Sequence, residues 1–199
     1  MIKDFPPVRR TDEGWDIEFN TQVFPSDLNG AIQTKAMPGA KWTATLTFNN
    51  RTGKEARLLQ GFFAGLQGRA GRFWLTPTGW YPLGTVDRAG SLTAPASQGA
   101  TTLTANGFEA HQPELLCAGD WFEINGALKK VTSTASSNLN GTATIEFTPP
   151  LRVTLPAGTE VRVNEPRCQM MLTDDSVGWQ ITAPIIYALV VNCEEALDI

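Results

Sequence analysis

The chain has 199 residues, 42% hydrophobic and 18% charged, with a formal net charge of −4. A chain of this length buries enough apolar surface to fold without disulfides or a structural metal. No run of basic residues exceeds two, so the basic stripe that neutralises phosphates is missing and we expect no nucleic-acid binding.

The first 50 residues predict strands and turns. Residues 14–19 alternate apolar and polar side chains, which is typical of a half-buried strand. Residues 25–30 are rich in turn formers. Residues 40–48 alternate again and place four apolar side chains on one face, namely Trp42, Ala44, Leu46 and Phe48.

The period then changes to that of a helix. Residues 54–66 contain no proline and repeat apolar residues three or four positions apart, which predicts one amphipathic helix. Thr52 is the predicted N-cap of this helix, and Glu55 would complete a capping box. Gly68 is the predicted C-terminal end of the helix. The stripe that should face the protein interior consists of Ala56, Leu59, Phe63 and Leu66.

After a short strand in residues 71–77, the composition changes near residue 86. Residues 89–102 are small and polar, as in a linker. Asn125-Gly126 and similar turn signals then separate short alternating runs, and Asn-Gly is the strongest local signal of a hairpin. A small barrel or sandwich is expected, with an OB-like barrel as one candidate. Its five strands are placed at residues 101–105, 120–125, 128–134, 142–147 and 159–163.

We expect ten apolar residues to form the core of this module, although alternation should leave some of them exposed. They are Leu103, Leu115, Leu116, Trp121, Phe122, Ile124, Val131, Ile145, Phe147 and Val161.

The strand pattern of the first part resumes after Pro166. Strands are expected at residues 168–172, 178–182 and 186–191. The longest apolar run, residues 183–191, is too short to cross a bilayer, and the N-terminus lacks the apolar segment of a signal peptide, so no membrane insertion or export is expected.

The predicted fold is therefore mainly β with one α-helix. A core domain, a β-sandwich or split barrel, comprises residues 1–86 and 166–199 and is interrupted by a β-barrel at residues 87–165. Residues 1–86 carry 10 basic and 7 acidic residues, whereas residues 166–199 carry 1 and 5, so the two parts of the core domain have opposite charge.

Residues suited to catalysis are scarce. The single histidine, His111, lies in a loop, and the adjacent pairs Asp174-Asp175 and Glu194-Glu195 would face opposite sides of a strand. The three cysteines have no C-x-x-C spacing and are expected to be free thiols of a protein made in a reducing cytoplasm. We expect no enzymatic activity, no cofactor and no bound metal, although a hydrolase using His111 stays open.

Exposed aromatic side chains offer another function. Trp80 and Tyr81 are neighbours near two prolines, and Trp121 lies in the inserted module. Aromatic faces stack on sugar rings, although the same residues also fill β-cores. These three residues are the predicted contacts with a glycan or a partner protein.

Several stretches of the chain resemble the distal tail proteins of long-tailed bacteriophages. Residues 38–48 (PGAKWTATLTF) and 55–73 are similar to the strand with a tryptophan, the helix and the Gly-rich turn of those proteins. Residues 115–126 and 149–152 look like their inserted module, and residues 192–196 fit their acidic tail.

The resemblance implies a structural protein of the virion. Distal tail proteins form a ring, commonly hexameric, that connects the tail tube to the tail tip or baseplate hub, with an inserted module, sometimes OB-like, facing outward. The implied partners are further copies of the chain, the tail tube protein and the tail-tip hub proteins. The implied location is the phage tail, after synthesis in the host cytoplasm. The alternative is a carbohydrate-binding module of a tail adhesin that attaches to a host-surface glycan.

Overall fold

The structure, a computed structural model, describes residues 2–183 and 186–197. It confirms the predicted fold class: the chain is mainly β, with one α-helix, a closed six-stranded barrel and a separate mixed sheet. The helix is α1 (Gly53–Ala64). The strands are β1 (Lys3–Asp4), β2 (Asp12–Pro25), β3 (Ile32–Arg51), β4 (Phe73–Leu75), β5 (Gly90–Leu92), β6 (Thr102–Asn106), β7 (Trp121–Ile124), β8 (Ala127–Val131), β9 (Ala143–Thr148), β10 (Glu160–Arg162), β11 (Cys168–Leu172), β12 (Trp179–Thr182) and β13 (Ile186–Glu195).

Contacts between residues divide the chain into two compact units. The sheet unit comprises the described parts of residues 1–16, 42–79 and 167–199, and the barrel unit comprises residues 17–41 and 80–166. The predicted boundary at residues 87–165 stays a prediction. Residues 17–41, which the sequence placed in the core domain, group here with the barrel residues.

The sheet is mixed, in the order β1-β4-β11-β13-β3-β2, with β12 pairing β13. The pair β1–β4 is parallel, whereas β4–β11, β11–β13 and β13–β3 are antiparallel. The alternation predicted for β3 is confirmed, because its four apolar residues from Trp42 to Phe48 are at most 4% exposed. They join the buried residues of α1, so one face of the sheet carries the core of this unit.

The helix forms where it was predicted, and its apolar stripe is buried. Thr52 occupies the N-cap position, but its side chain makes no capping hydrogen bond. The predicted capping box is wrong because Glu55 instead forms an ion pair with Arg51 at 3.2 Å. The helix ends at Ala64, with Gly65 as its C-cap, rather than at the predicted Gly68, which begins a short 3-10 turn with a positive φ.

The barrel closes in the order β10-β5-β6-β9-β8-β7, with all neighbours antiparallel. It has six strands, where an OB-fold has five. The turn between β7 and β8 is the predicted one, since Asn125 and Gly126 both have positive φ. All ten predicted core residues are buried, so the expectation that some would be exposed was wrong.

The sequence did not predict one strand of the barrel, β5. Strand β5 lies inside the segment predicted to be a linker, yet Gly90 and Leu92 are buried. A Cβ at Gly90 would collide with the ring of Phe108. The small residue thus permits close packing of the barrel wall, and a composition typical of a linker here belongs to a strand.

Candidate interaction surfaces

The structure brings two of the three predicted contact residues together. The rings of Trp80 and Tyr81 stack with centroids 4.4 Å apart at 22°, and Tyr81 is 71% exposed. Trp121 is buried in β7, with Lys130 Nζ lying 4.4 Å from its ring centroid. The stacked pair is therefore the accessible part of the predicted set.

A buried carboxylate fixes the segment that follows this aromatic pair. Asp120 accepts backbone N–H bonds from Leu83 at 2.8 Å, Gly84 at 3.2 Å and Cys117 at 2.8 Å. These bonds hold two loops of the barrel unit at one point, because an ionised carboxylate can accept several donors. Sequence reasoning missed Asp120, although its place after Gly119 in a turn was a usable signal.

The other acidic residues singled out in the sequence have structural partners. Asp175 Oδ1 accepts the backbone N–H of Arg69 at 3.0 Å, and Asp174 accepts the hydroxyl of Thr173. Glu195 is buried and accepts the N–H of Trp42 at 3.1 Å, across the β13–β3 region. These carboxylates are used to connect strands and turns.

A second, partly buried network joins the N-terminal segment to the end of β4. Arg10 forms an ion pair with Glu13 at 2.8 Å and donates to the carbonyl of Thr76 at 2.8 Å. Glu13 also accepts hydrogen bonds from Trp15 Nε1 and from the backbone N–H and hydroxyl of Thr78. Because each charged group has several partners, this network orders the chain around residue 13.

The residues suited to nucleophilic or metal chemistry stay apart. His111 lies in an exposed turn, where its backbone N–H donates to Asn138. Within residues 2–183 and 186–197, no group of three or more His, Cys, Asp or Glu could hold a metal ion.

Two of the free cysteines, Cys117 and Cys193, have surroundings that disfavour the thiolate. Burial raises the pKa of Cys193 to about 12. Desolvation, followed by the charges of Asp120 and Glu114, also raises the pKa of Cys117. Because the reactive form of cysteine is the thiolate, neither environment favours a catalytic thiol.

A largely exposed surface with apolar side chains belongs to residues 17–41, which form the outer part of the β2–β3 hairpin and are called the arm below. Of these 25 residues, 20 are exposed and none is buried. The arm also carries large apolar side chains that are at least half exposed: Phe19, Val23, Phe24, Leu28 and Ile32.

The arm has two different faces. Ile17, Phe19 and Val23 alternate in register with Trp15, whose ring packs edge-on against the buried Trp42 at 6.1 Å. The opposite face carries the ion pair of Glu18 and Lys41 at 3.3 Å. The apolar face of the arm is largely uncovered, since Phe19 is 59% and Val23 is 55% exposed.

Strand β12 provides a second uncovered apolar surface. All four of its residues are exposed, including Trp179 at 45% and Ile181 at 58%, and it pairs with β13. Beside Trp179 lies a shallow pocket, with about 220 Å³ of space including its open mouth. The pocket is lined by Phe48, Arg51, Ala56, Leu59, Gln60, Trp179, Tyr187 and Leu189.

Comparison with known proteins assigns no function to these surfaces, so their roles are inferred from their own residues. No protein-family model matches the chain, and no curated protein matches its sequence. Among the described residues, no helix has both the length and the apolar character needed to cross a membrane.

Proposed function

We propose that this chain is a structural virion protein that forms a ring at the distal end of a phage tail tube, where it connects the tube to the tail tip or baseplate. The proposal starts from the resemblance of residues 38–73 to distal tail proteins. It assigns the chain no enzymatic activity, in keeping with the structural use of its buried charged groups.

The observation that carries the proposal is the uncovered arm. A two-stranded hairpin with an apolar face is marginally stable alone in water. Large exposed apolar surfaces on a folded chain mark sites of association. A chain that displays an apolar arm together with an exposed edge strand, β12, has the two different surfaces that head-to-tail assembly requires.

The proposal is tested by the assembly state of the full chain. Native mass spectrometry and negative-stain microscopy of the concentrated protein, alone and with a tail tube protein, should show a closed ring, commonly of six copies. A chain that stays monomeric under both conditions and within assembled tails would contradict the proposal.

A carbohydrate-binding role is the second candidate, favoured by the Trp80–Tyr81 stack. An exposed aromatic face can receive a sugar ring. A glycan array should then give signals that are lost in Tyr81→Ala, with Phe24→Ala as the control, since Phe24 is an exposed aromatic residue of the arm. Equal binding by both variants would remove this candidate.

A further inference from the structure

We propose that Asn29, at the tip of the arm, is a site of spontaneous deamidation that converts it to aspartate or isoaspartate while the chain is folded. The sequence holds four Asn-Gly pairs, in which the small glycine lets its backbone nitrogen reach the preceding side-chain amide. They begin at Asn29, Asn106, Asn125 and Asn140. The structure surrounds them differently and leaves the first one open. This modification goes beyond the proposed ring and does not depend on it.

The reaction consumes only water. The backbone nitrogen of Gly30 attacks Cγ of Asn29, so that a new C–N bond forms and the bond from Cγ to the amide nitrogen breaks. The leaving group takes the proton of the backbone nitrogen and departs as ammonia. Water then opens the cyclic succinimide at either carbonyl. One opening gives aspartate, and the other gives isoaspartate, in which the main chain runs through Cβ.

The turn at the tip holds the reacting groups together. The Oδ1 atom of Asn29 accepts the backbone N–H of Ala31 at 3.0 Å, an Asx turn that folds the side-chain amide back over the Gly30 peptide. This hydrogen bond also draws electrons from the side-chain carbonyl, which makes Cγ a better electrophile. The N–H of Gly30 donates to the carbonyl of Ser26 at 3.0 Å, so the attack requires that hydrogen bond to open.

Opening costs little at this tip. Asn29 and Gly30 are exposed, and the neighbouring Leu28 is 99% exposed. The space beside Gly30 is empty, since an added Cβ would have no neighbour within 4 Å. Two-stranded hairpins are marginally stable alone, and loops open at a lower free-energy cost than core strands. Both the Gly30 nitrogen and water therefore gain access to Cγ.

The other three pairs are held by the closed barrel. Asn106 pairs with Ser91 in the barrel wall, and its Oδ1 accepts the hydroxyl of that residue at 3.0 Å. Asn125 lies in the short turn that connects the paired strands β7 and β8. Gly141 is buried, and a Cβ there would collide with the carbonyl oxygen of Phe108. At each of these sites, barrel strands have to move before a succinimide can form.

The modification adds charge where the chain has little. Residues 19–34 contain one charged side chain, Asp27, and either product adds a second negative charge two positions away. Isoaspartate also displaces the Asx turn, because its main chain is longer by one carbon. A surface that covered the modified tip would have to desolvate this charge, so the modification disfavours association through the tip.

Peptide mapping of the aged protein tests the proposal. The full chain is held at mildly alkaline pH and then digested with trypsin, which places the four pairs in three peptides, residues 11–35, 89–129 and 131–152. We expect the peptide that contains Asn29 to deamidate about tenfold faster than the other two, because a loop tip opens more easily than a closed barrel. In urea, where the structure is lost, all four sites should react at similar rates.

Two variants assign the change to its residue. Isoelectric focusing of the aged wild-type chain should show a more acidic species. Asn29→Gln should lose this species, because the longer side chain forms a cyclic intermediate far more slowly. Asn140→Gln is the matched control and should keep it. Circular dichroism checks that both variants remain folded, and the peptide map of the wild type needs no variant, so it stays decisive if one of them misfolds.

Two outcomes overturn the proposal. If residues 11–35 of the folded chain react no faster than the barrel peptides, the tip is as closed as the barrel and the assignment is wrong. If the acidic species persists in Asn29→Gln, the new charge comes from another residue.

Discussion

Replacing Asp120 by alanine removes the common acceptor of three backbone N–H groups, those of Leu83, Gly84 and Cys117. Each buried donor left without a partner costs about 1–3 kcal/mol. The neighbouring loops are partly open to water, so the lower value applies to each donor, and we expect a loss of about 3 kcal/mol in the free energy of unfolding. Asp120→Asn retains one acceptor oxygen and should lose about half as much.

Urea unfolding followed by tryptophan fluorescence measures these losses. Near-ultraviolet circular dichroism should also weaken in Asp120→Ala, because the freed segment after Tyr81 no longer holds the Trp80–Tyr81 stack. Asp87→Ala is the matched control, since that carboxylate is exposed and pairs with the adjacent Arg88. A stability of Asp120→Ala within about 0.5 kcal/mol of the wild type would refute the reasoning.

Three further predictions concern thiols, the barrel turn and metals. Cys193, with its pKa raised to about 12, should not react with a thiol reagent in the folded protein. The folded pKa of Cys193 lies above the unfolded value of about 8.5, so the neutral thiol contributes its full stabilisation below pH 8.5. That contribution should fall as the pH rises from about 8.5 towards 12, which urea unfolding at several pH values in this range would show. Gly126→Ala should cost about 1 kcal/mol, measured by thermal melting, because residue 126 has a φ of 73°. Elemental analysis should find no stoichiometric zinc, iron or copper, and one equivalent would contradict the metal-free assignment.

Local patterns predicted most elements of the fold because their causes are local. Asn and Gly adopt positive φ values readily, so the hairpin turn between β7 and β8 could be predicted from the dipeptide Asn125-Gly126. Likewise, the period of α1 and the alternation of β3 each follow from one buried face.

The missed features depend on distant partners. Strand β5 exists because Gly90 pairs with Val161 and Ser91 with Asn106, contacts that span up to 71 residues of chain. Its own three residues carry one large apolar side chain. The capping box failed for a related reason, since Arg51 competes for Glu55. Residue type also could not distinguish the exposed Tyr81 from the buried Trp121.

The arm shows a different limit of sequence reasoning. Residues 14–19 alternate as residues 40–48 do, and both patterns predict a half-buried strand. The apolar residues of the second pattern, from Trp42 to Phe48, lie on the face that α1 covers and are at most 4% exposed, whereas Phe19 and Val23 are more than half exposed. Alternation predicts that one face of a strand is covered by other residues, but it does not identify the chain to which those residues belong.

Covering the exposed apolar side chains of the arm by another chain would contribute a substantial free energy of association. Fully burying a large apolar side chain is worth about 1.5–3 kcal/mol. The five large apolar side chains of the arm are each at least half exposed, so covering all of them would contribute about 5 kcal/mol per copy, as large as the net stability of a small domain. Part of this gain is offset by the cost of association. In the proposed ring, a gain of this kind would recur at every interface between copies that covers the arm.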